Sequence, residues 1–250
     1  HRLLPLLAPL MVFLLEEIYF FSPKLIYAMA ILIILLIFFT VWQFSRLSQV
    51  DGRWWNYLIL PALLSAALLA YSVFLSSKFL IQLSFILNAV FLYLYLRHVY
   101  YYLLQPAAYQ VFSLENLSAY TNWLAFFLSA AAVYGLQSFL NSPISLLMLI
   151  MLAAAALLAY QIIWANKIEL KAGLPYILIS CLILAELFWA VSFLPFNYNI
   201  SGLSLAICYY VVIGLVKNHL LGRLETNKVR MYLILGAASL FLIMFTAKWM

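Results

Sequence analysis

The stretch KLIYAMAILIILLIFFTVWQFS, residues 24–45, decides the fold. Between Lys24 and Arg46 it carries no charged side chain. An α-helix rises about 1.5 Å per residue, so roughly 20 such residues cross a hydrocarbon layer about 30 Å thick. Eight more stretches of this kind lie outward from it, over 3–21, 54–76, 79–103, 118–140, 143–165, 175–195, 199–217 and 229–247. Turn-forming residues separate them, as at Ser22-Pro23-Lys24, Asp51-Gly52-Arg53, Asn141-Ser142-Pro143, Gly173-Leu174-Pro175 and Asn197-Tyr198-Asn199.

Composition agrees with a lipid-facing chain. Hydrophobic residues make up 69% and charged residues 8%, with mean hydropathy +1.11. A soluble domain carries about 25% charged residues. Here 13 Lys+Arg and 7 Asp+Glu are too few to coat a water-exposed surface of 250 residues. The net charge of +6 does not indicate nucleic-acid binding, because the basic residues sit between apolar runs rather than on one soluble face. Cys181 and Cys208 lie inside apolar runs without metal-ligand spacing and read as small packing residues.

The charges sort by side. If successive spans alternate in direction, Arg2, Arg46, Arg53, Arg97, Lys167, Lys171, Lys217, Arg223, Lys228 and Arg230 share one side. Lys24, Lys78 and Lys248 share the other. Basic residues concentrate on the cytoplasmic side, which puts the N-terminus inside and the C-terminus outside. Trp42, Trp54, Trp55, Trp123, Trp164 and Trp249 fall near span ends, the level preferred by amphipathic rings.

The expected fold is therefore all-α: one transmembrane domain over 1–250, a polytopic bundle of about nine spans in the cell (plasma or inner) membrane. The count falls to eight if the first segment, which holds Pro5, Pro9 and adjacent glutamates, does not cross. Glu16 and Glu17 stand where a signal peptide needs small residues for cleavage, so a retained helix is expected. Residues 104–117 are expected to form a short interfacial helix. The basic stretch 217–230 is expected to be a loop drawn to anionic headgroups.

Ionisable groups deep in a bilayer cost about 2.5–3.5 kcal/mol to insert and mark functional candidates. Glu186 lies about 16 Å along the seventh span by helical rise. Its helical neighbours Leu182, Ile183, Trp189 and Ala190 are apolar, so a partner is expected from another helix. Asn88, Ser65, Tyr209 and Tyr210 lie at similar depth and are the candidates. Glu186 then either exchanges a proton or cation during transport, or serves as interhelical glue. Glu16 and Glu17 point about 100° apart on their helix. They read as an outer acidic pair neutralised by Lys24, Lys78 and Lys248. Arg97, His98 and Glu115 form a candidate cluster on the cytoplasmic side.

Glu16-Glu17 in a membrane helix resembles the first motif, Glu-Glu-x-x-x-Arg, of the intramembrane prenyl-protease-like family. Phe21 stands at its Arg position. Leu94 and Leu215 stand where the second motif, Phe-x-x-x-His, needs Phe before His98 and His219. That enzyme is rejected. His98 and His219 are both interfacial, which does not offer the facing pair a bis-histidine haem needs, and no phosphate-cradling glycine loop occurs. No metal or other cofactor is expected.

Residues 186–215, ELFWAVSFLPFNYNISGLSLAICYYVVIGL, and 230–249, RMYLILGAASLFLIMFTAKW, resemble uncharacterised multi-span proteins of candidate-phylum bacteria. The resemblance covers the last quarter of the chain and implies no activity. Three functions fit the residues: a small transporter or ion-coupled permease using Glu186, a non-catalytic membrane subunit or scaffold, and a lipid-acting membrane enzyme. Transport is preferred and an enzyme is ranked last. The expected partners are the lipid bilayer and a membrane protein or second copy of the chain, with no nucleic acid.

Overall fold

Lipid offers no hydrogen bonds, so each apolar stretch must satisfy its backbone internally, and the helix does this within one segment. The computed structural model describes residues 3–48, 54–106, 109 and 113–247. Among them the regular elements are helices: α1 Leu4–Phe21, α2 Ile26–Ser48, α3 Asn56–Ser72, α4 Lys78–Leu104, α5 Ser113–Leu140, α6 Ile144–Ala165, α7 Leu170–Ser192, α8 Tyr198–Leu220 and α9 Thr226–Thr246. A 3₁₀ turn, Pro23–Leu25, joins α1 to α2. Arg2, Arg53, Lys248, Trp249 and the Asp51-Gly52-Arg53 break lie outside the described residues.

Among the described residues, eight helices are long and apolar enough to cross a membrane. The doubtful span is α3, not α1. With 17 residues, α3 is about 26 Å long, short of the usual hydrocarbon thickness. α1 keeps its length because Pro5 sits in its first turn, where a missing N–H costs nothing. The helix runs on through Pro9.

Other boundaries move too: α7 starts at Leu170 rather than 175, so Gly173-Leu174-Pro175 lies inside its first turns instead of breaking the chain. Ser113 already belongs to α5, so the end of the expected interfacial segment is the first turn of that helix. Tyr109 holds this start: its hydroxyl accepts from Leu114 N at 3.2 Å and donates to Glu115 Oε2 at 3.0 Å. Residues 107–108 and 110–112 lie outside the described residues. The basic loop is also shorter than 217–230, because α8 runs to Leu220. There the chain turns on Gly222 at φ 65°, a left-handed conformation that glycine adopts without strain. Gly222 N donates to His219 O and Arg223 N to Asn218 O, both at 2.9 Å, closing the helix end.

The chain divides into two compact units, residues 1–125 and 126–250, with α5 running from the first into the second. In the first unit α4 packs against α1, α2 and α3. Its apolar core includes Val12, Ile33, Phe44, Leu60, Phe85 and Leu96. In the second unit α6, α7, α8 and α9 pack in sequence. Its core is built on stacked rings. Phe126 and Tyr209 lie 3.9 Å apart between centroids, and Tyr134 and Phe188 lie 4.9 Å apart. Tyr134 Oη also donates to Phe188 O at 3.0 Å. α8 meets α5 at Gly202, where an added Cβ would stand 2.7 Å from the backbone of Ala131. Small residues permit such close helix approach in membranes.

Candidate functional site in the first unit

One face of α1 is narrow and inward. Pro5, Ala8, Pro9, Val12, Glu16 and Tyr19 are buried at helical spacing, while Leu6, Leu10 and Leu14 point outward. Glu16 thus falls on the packed face and is 0% exposed. Glu17, one residue on, turns to a half-buried position.

Glu16 Oε1 accepts a 2.6 Å hydrogen bond from Asn88 Nδ2 of α4. Asn88 and Ser65 of α3 exchange hydrogen bonds at 3.3 Å, with the hydroxyl donating to Asn88 Oδ1 and Asn88 Nδ2 donating to Ser65 Oγ. Acid, amide and hydroxyl therefore tie three helices together. The second carboxyl oxygen, Glu16 Oε2, has no hydrogen-bond partner among the described residues. A buried polar atom left without a partner costs about 1–3 kcal/mol, more when charged.

Polar contacts continue toward one end of the unit. Gln82 Nε2 donates to Glu17 Oε2 at 3.1 Å, and Ser72 Oγ donates to Tyr19 Oη at 3.4 Å. Ser72 closes α3, Lys78 opens α4 and Phe21 closes α1, so these contacts lie at matching helix ends. By helical rise Glu16 is about 8 Å from the end of α1 and Asn88 about 15 Å from the start of α4. Together with the buried carboxyl group these contacts form an interrupted polar column, with buried Phe85 standing between Gln82 and Asn88 on α4.

Of the residues named in the sequence as partners for Glu186, Asn88 bonds Glu16 and Ser65 bonds Asn88. Glu186 lies on an exposed face of α7 with Leu182, Trp189 and Ala190. Tyr209 is buried against Phe126, whereas Tyr210 is 48% exposed beside Tyr232. The outer acidic pair is split, and Glu17 meets Gln82 rather than a lysine. Among the described residues the ion pair is Lys228–Glu225, at 3.3 Å. Arg97, His98 and Glu115 each have local partners: Tyr93, Leu94 O and Tyr109. Among the described residues no group of three or more His, Cys, Asp or Glu side chains gathers to hold a metal. Cys181 and Cys208 are free.

Gln82, Tyr19 and Ser72 are the column residues that sequence reasoning missed. A usable signal was present in α1, where bulky leucines occupy one face and Ala8, Pro9, Val12 and Glu16 the other. That contrast marks the face that packs.

The apolar helices and the buried acid column define an all-helical, multi-span membrane protein. The chain belongs to the family described as protein of unknown function (DUF5656), whose model matches residues 11–246. The match thus extends far beyond the C-terminal quarter. No curated protein and no solved structure matches the chain.

Proposed function

We propose that the protein is a small proton-coupled permease of a cell membrane, with Glu16 as the group that takes up and releases the proton. The observation that carries this reading is the Glu16 carboxyl, fully buried, with Oε1 bonded to Asn88 and Oε2 unpartnered. Intramembrane carboxyls of this kind serve as proton relays in pumps and transporters. Asn88 and Ser65 orient the acid, and Glu17, Gln82, Tyr19 and Ser72 form a polar approach from the helix ends. The column lies toward the outer face if the N-terminus is cytoplasmic, as the basic residues indicate.

A second reading, a scaffold subunit that binds partner helices, is favoured by Glu186 on the exposed face of α7. A carboxyl facing lipid is costly, and a partner helix would satisfy it.

The test is proton uptake by the purified chain in liposomes, read with an internal pH dye after an external acid step. Wild type and Glu186→Gln are expected to take up protons, and Glu16→Gln is expected to lose nearly all uptake. Flux in Glu16→Gln equal to wild type, or no flux in wild type, sinks the permease reading.

A further inference from the structure

The first unit holds a second polar feature that the acid column does not use. Where α1 begins and α4 ends, Leu3, Pro5 and Leu6 face Tyr93, Arg97 and Gln105 across an open recess of about 480 Å³. The start of the first span and the end of the fourth fall on the same, basic side of the membrane if spans alternate. The tyrosines here, Tyr93, Tyr100 and Tyr101, suit the headgroup level.

Among the described residues, Arg97 is held in the recess by Tyr93 and Tyr101. Its Nη1 donates to Tyr93 Oη at 3.1 Å, and the guanidinium lies 5.8 Å and 5.5 Å from the centroids of Tyr93 and Tyr101. Among the described residues no carboxylate pairs with it. A guanidinium has five N–H donors in a fork that matches a phosphate. The two tyrosines hold the guanidinium on the wall of the recess, where it is exposed.

The other wall is apolar and continues. Leu6 lines the recess, and Leu10 and Leu14 follow at four-residue spacing on the same outward ridge of α1. They are 51%, 51% and 47% exposed. A fixed cation at headgroup level therefore sits at the top of an apolar track that runs toward the bilayer interior. A soluble phosphate would use only the first of these features.

We propose that this recess is a binding site for an anionic phospholipid, with the headgroup phosphate on Arg97 and an acyl chain along Leu6, Leu10 and Leu14. Tyr93 and Gln105 add hydrogen bonds to the headgroup. Binding is independent of proton exchange at Glu16.

The test is native mass spectrometry of the detergent-solubilised full chain, titrated with phosphatidylglycerol or with phosphatidylcholine of the same chains. Wild type is expected to retain phosphatidylglycerol about tenfold more strongly, the scale of one charge-assisted contact. Arg97→Gln is expected to abolish the preference. Lys228→Gln, which alters the basic stretch after α8, and Glu16→Gln are expected to keep it. Equal retention of the two lipids by wild type overturns the proposal and needs no variant. So does a preference that survives Arg97→Gln, or one lost in Lys228→Gln, which assigns it to general surface charge. Displacement of the lipid by glycerol phosphate at equal concentration overturns the lipid in favour of a soluble phosphate ligand.

Discussion

The two units bury different chemistry. The first places a carboxyl, an amide and a hydroxyl at its centre, on α1, α4 and α3. The second places paired rings there, Phe126 on Tyr209 and Tyr134 on Phe188, and leaves Glu186 outside. Between helices in lipid the hydrophobic effect supplies little, so association rests on van der Waals packing and hydrogen bonds. Both units use both terms, the second through stacked rings and the Tyr134–Phe188 hydrogen bond, the first through a bonded carboxyl as well. Ring stacking needs shape only, and it tolerates any partner of the right size. A buried acid needs its particular partner, and with one oxygen left unpartnered it gives up stability at that point. Strain of this kind is what a functional group leaves behind.

The comparison breaks most visibly if the rings are removed. Phe126→Ala is expected to destabilise the protein by about 3–5 kcal/mol, the usual cost of deleting a buried ring. The check is reversible unfolding in mixed micelles followed by circular dichroism. A loss below about 1 kcal/mol, the scale of an ordinary surface change, denies the stacked core its role.

Asn88→Leu comes next, at about 2–3 kcal/mol, because it leaves both Glu16 oxygens buried without a donor. The double variant Glu16→Leu with Asn88→Leu is expected to recover part of that loss, since the carboxyl is no longer left unsatisfied and only the Ser65 hydroxyl loses its partner. The same unfolding assay on the single and double variants gives the coupling directly. Additive losses contradict a bonded pair.

The smallest effect belongs to Glu186→Gln. On an exposed face it is expected to change stability by less than about 0.5 kcal/mol, the range of surface substitutions. A larger loss in the isolated chain contradicts the placement of Glu186 on an exposed face.

The spans were legible because length and charge are one-dimensional properties. Hydropathy located the apolar stretches, and Pro23 and Asn141 marked ends of theirs. α3 fell short because Val73 and Phe74 are apolar enough to extend the run, yet the helix ends at Ser72. The site was half legible. Depth along a helix picked out Asn88 and Ser65 as candidate partners for Glu186, and both are buried. Depth does not say which way a residue points. On α1 the contrast of leucines with small residues distinguishes the two faces, and it assigns Glu16 inward. On α7 both faces are apolar, with Ile177, Leu184 and Phe188 inside and Leu178, Leu182 and Trp189 outside. Nothing in composition separates them, and Glu186 was assigned inward on depth alone. Gln82 escaped notice because its partner, Glu17, had been matched to lysines by charge.

The shortness of α3 has a consequence for the lipid itself. Beside α4, with 27 residues or about 40 Å, stands a helix of about 26 Å. Such a mismatch is relieved by tilting the long helix or by thinning the bilayer at the short one. Thinning at Ser72 draws the headgroups and their water toward the end of the column that leads to Glu16. If Glu16 exchanges protons as proposed, bilayer thickness would then set how readily that acid meets water.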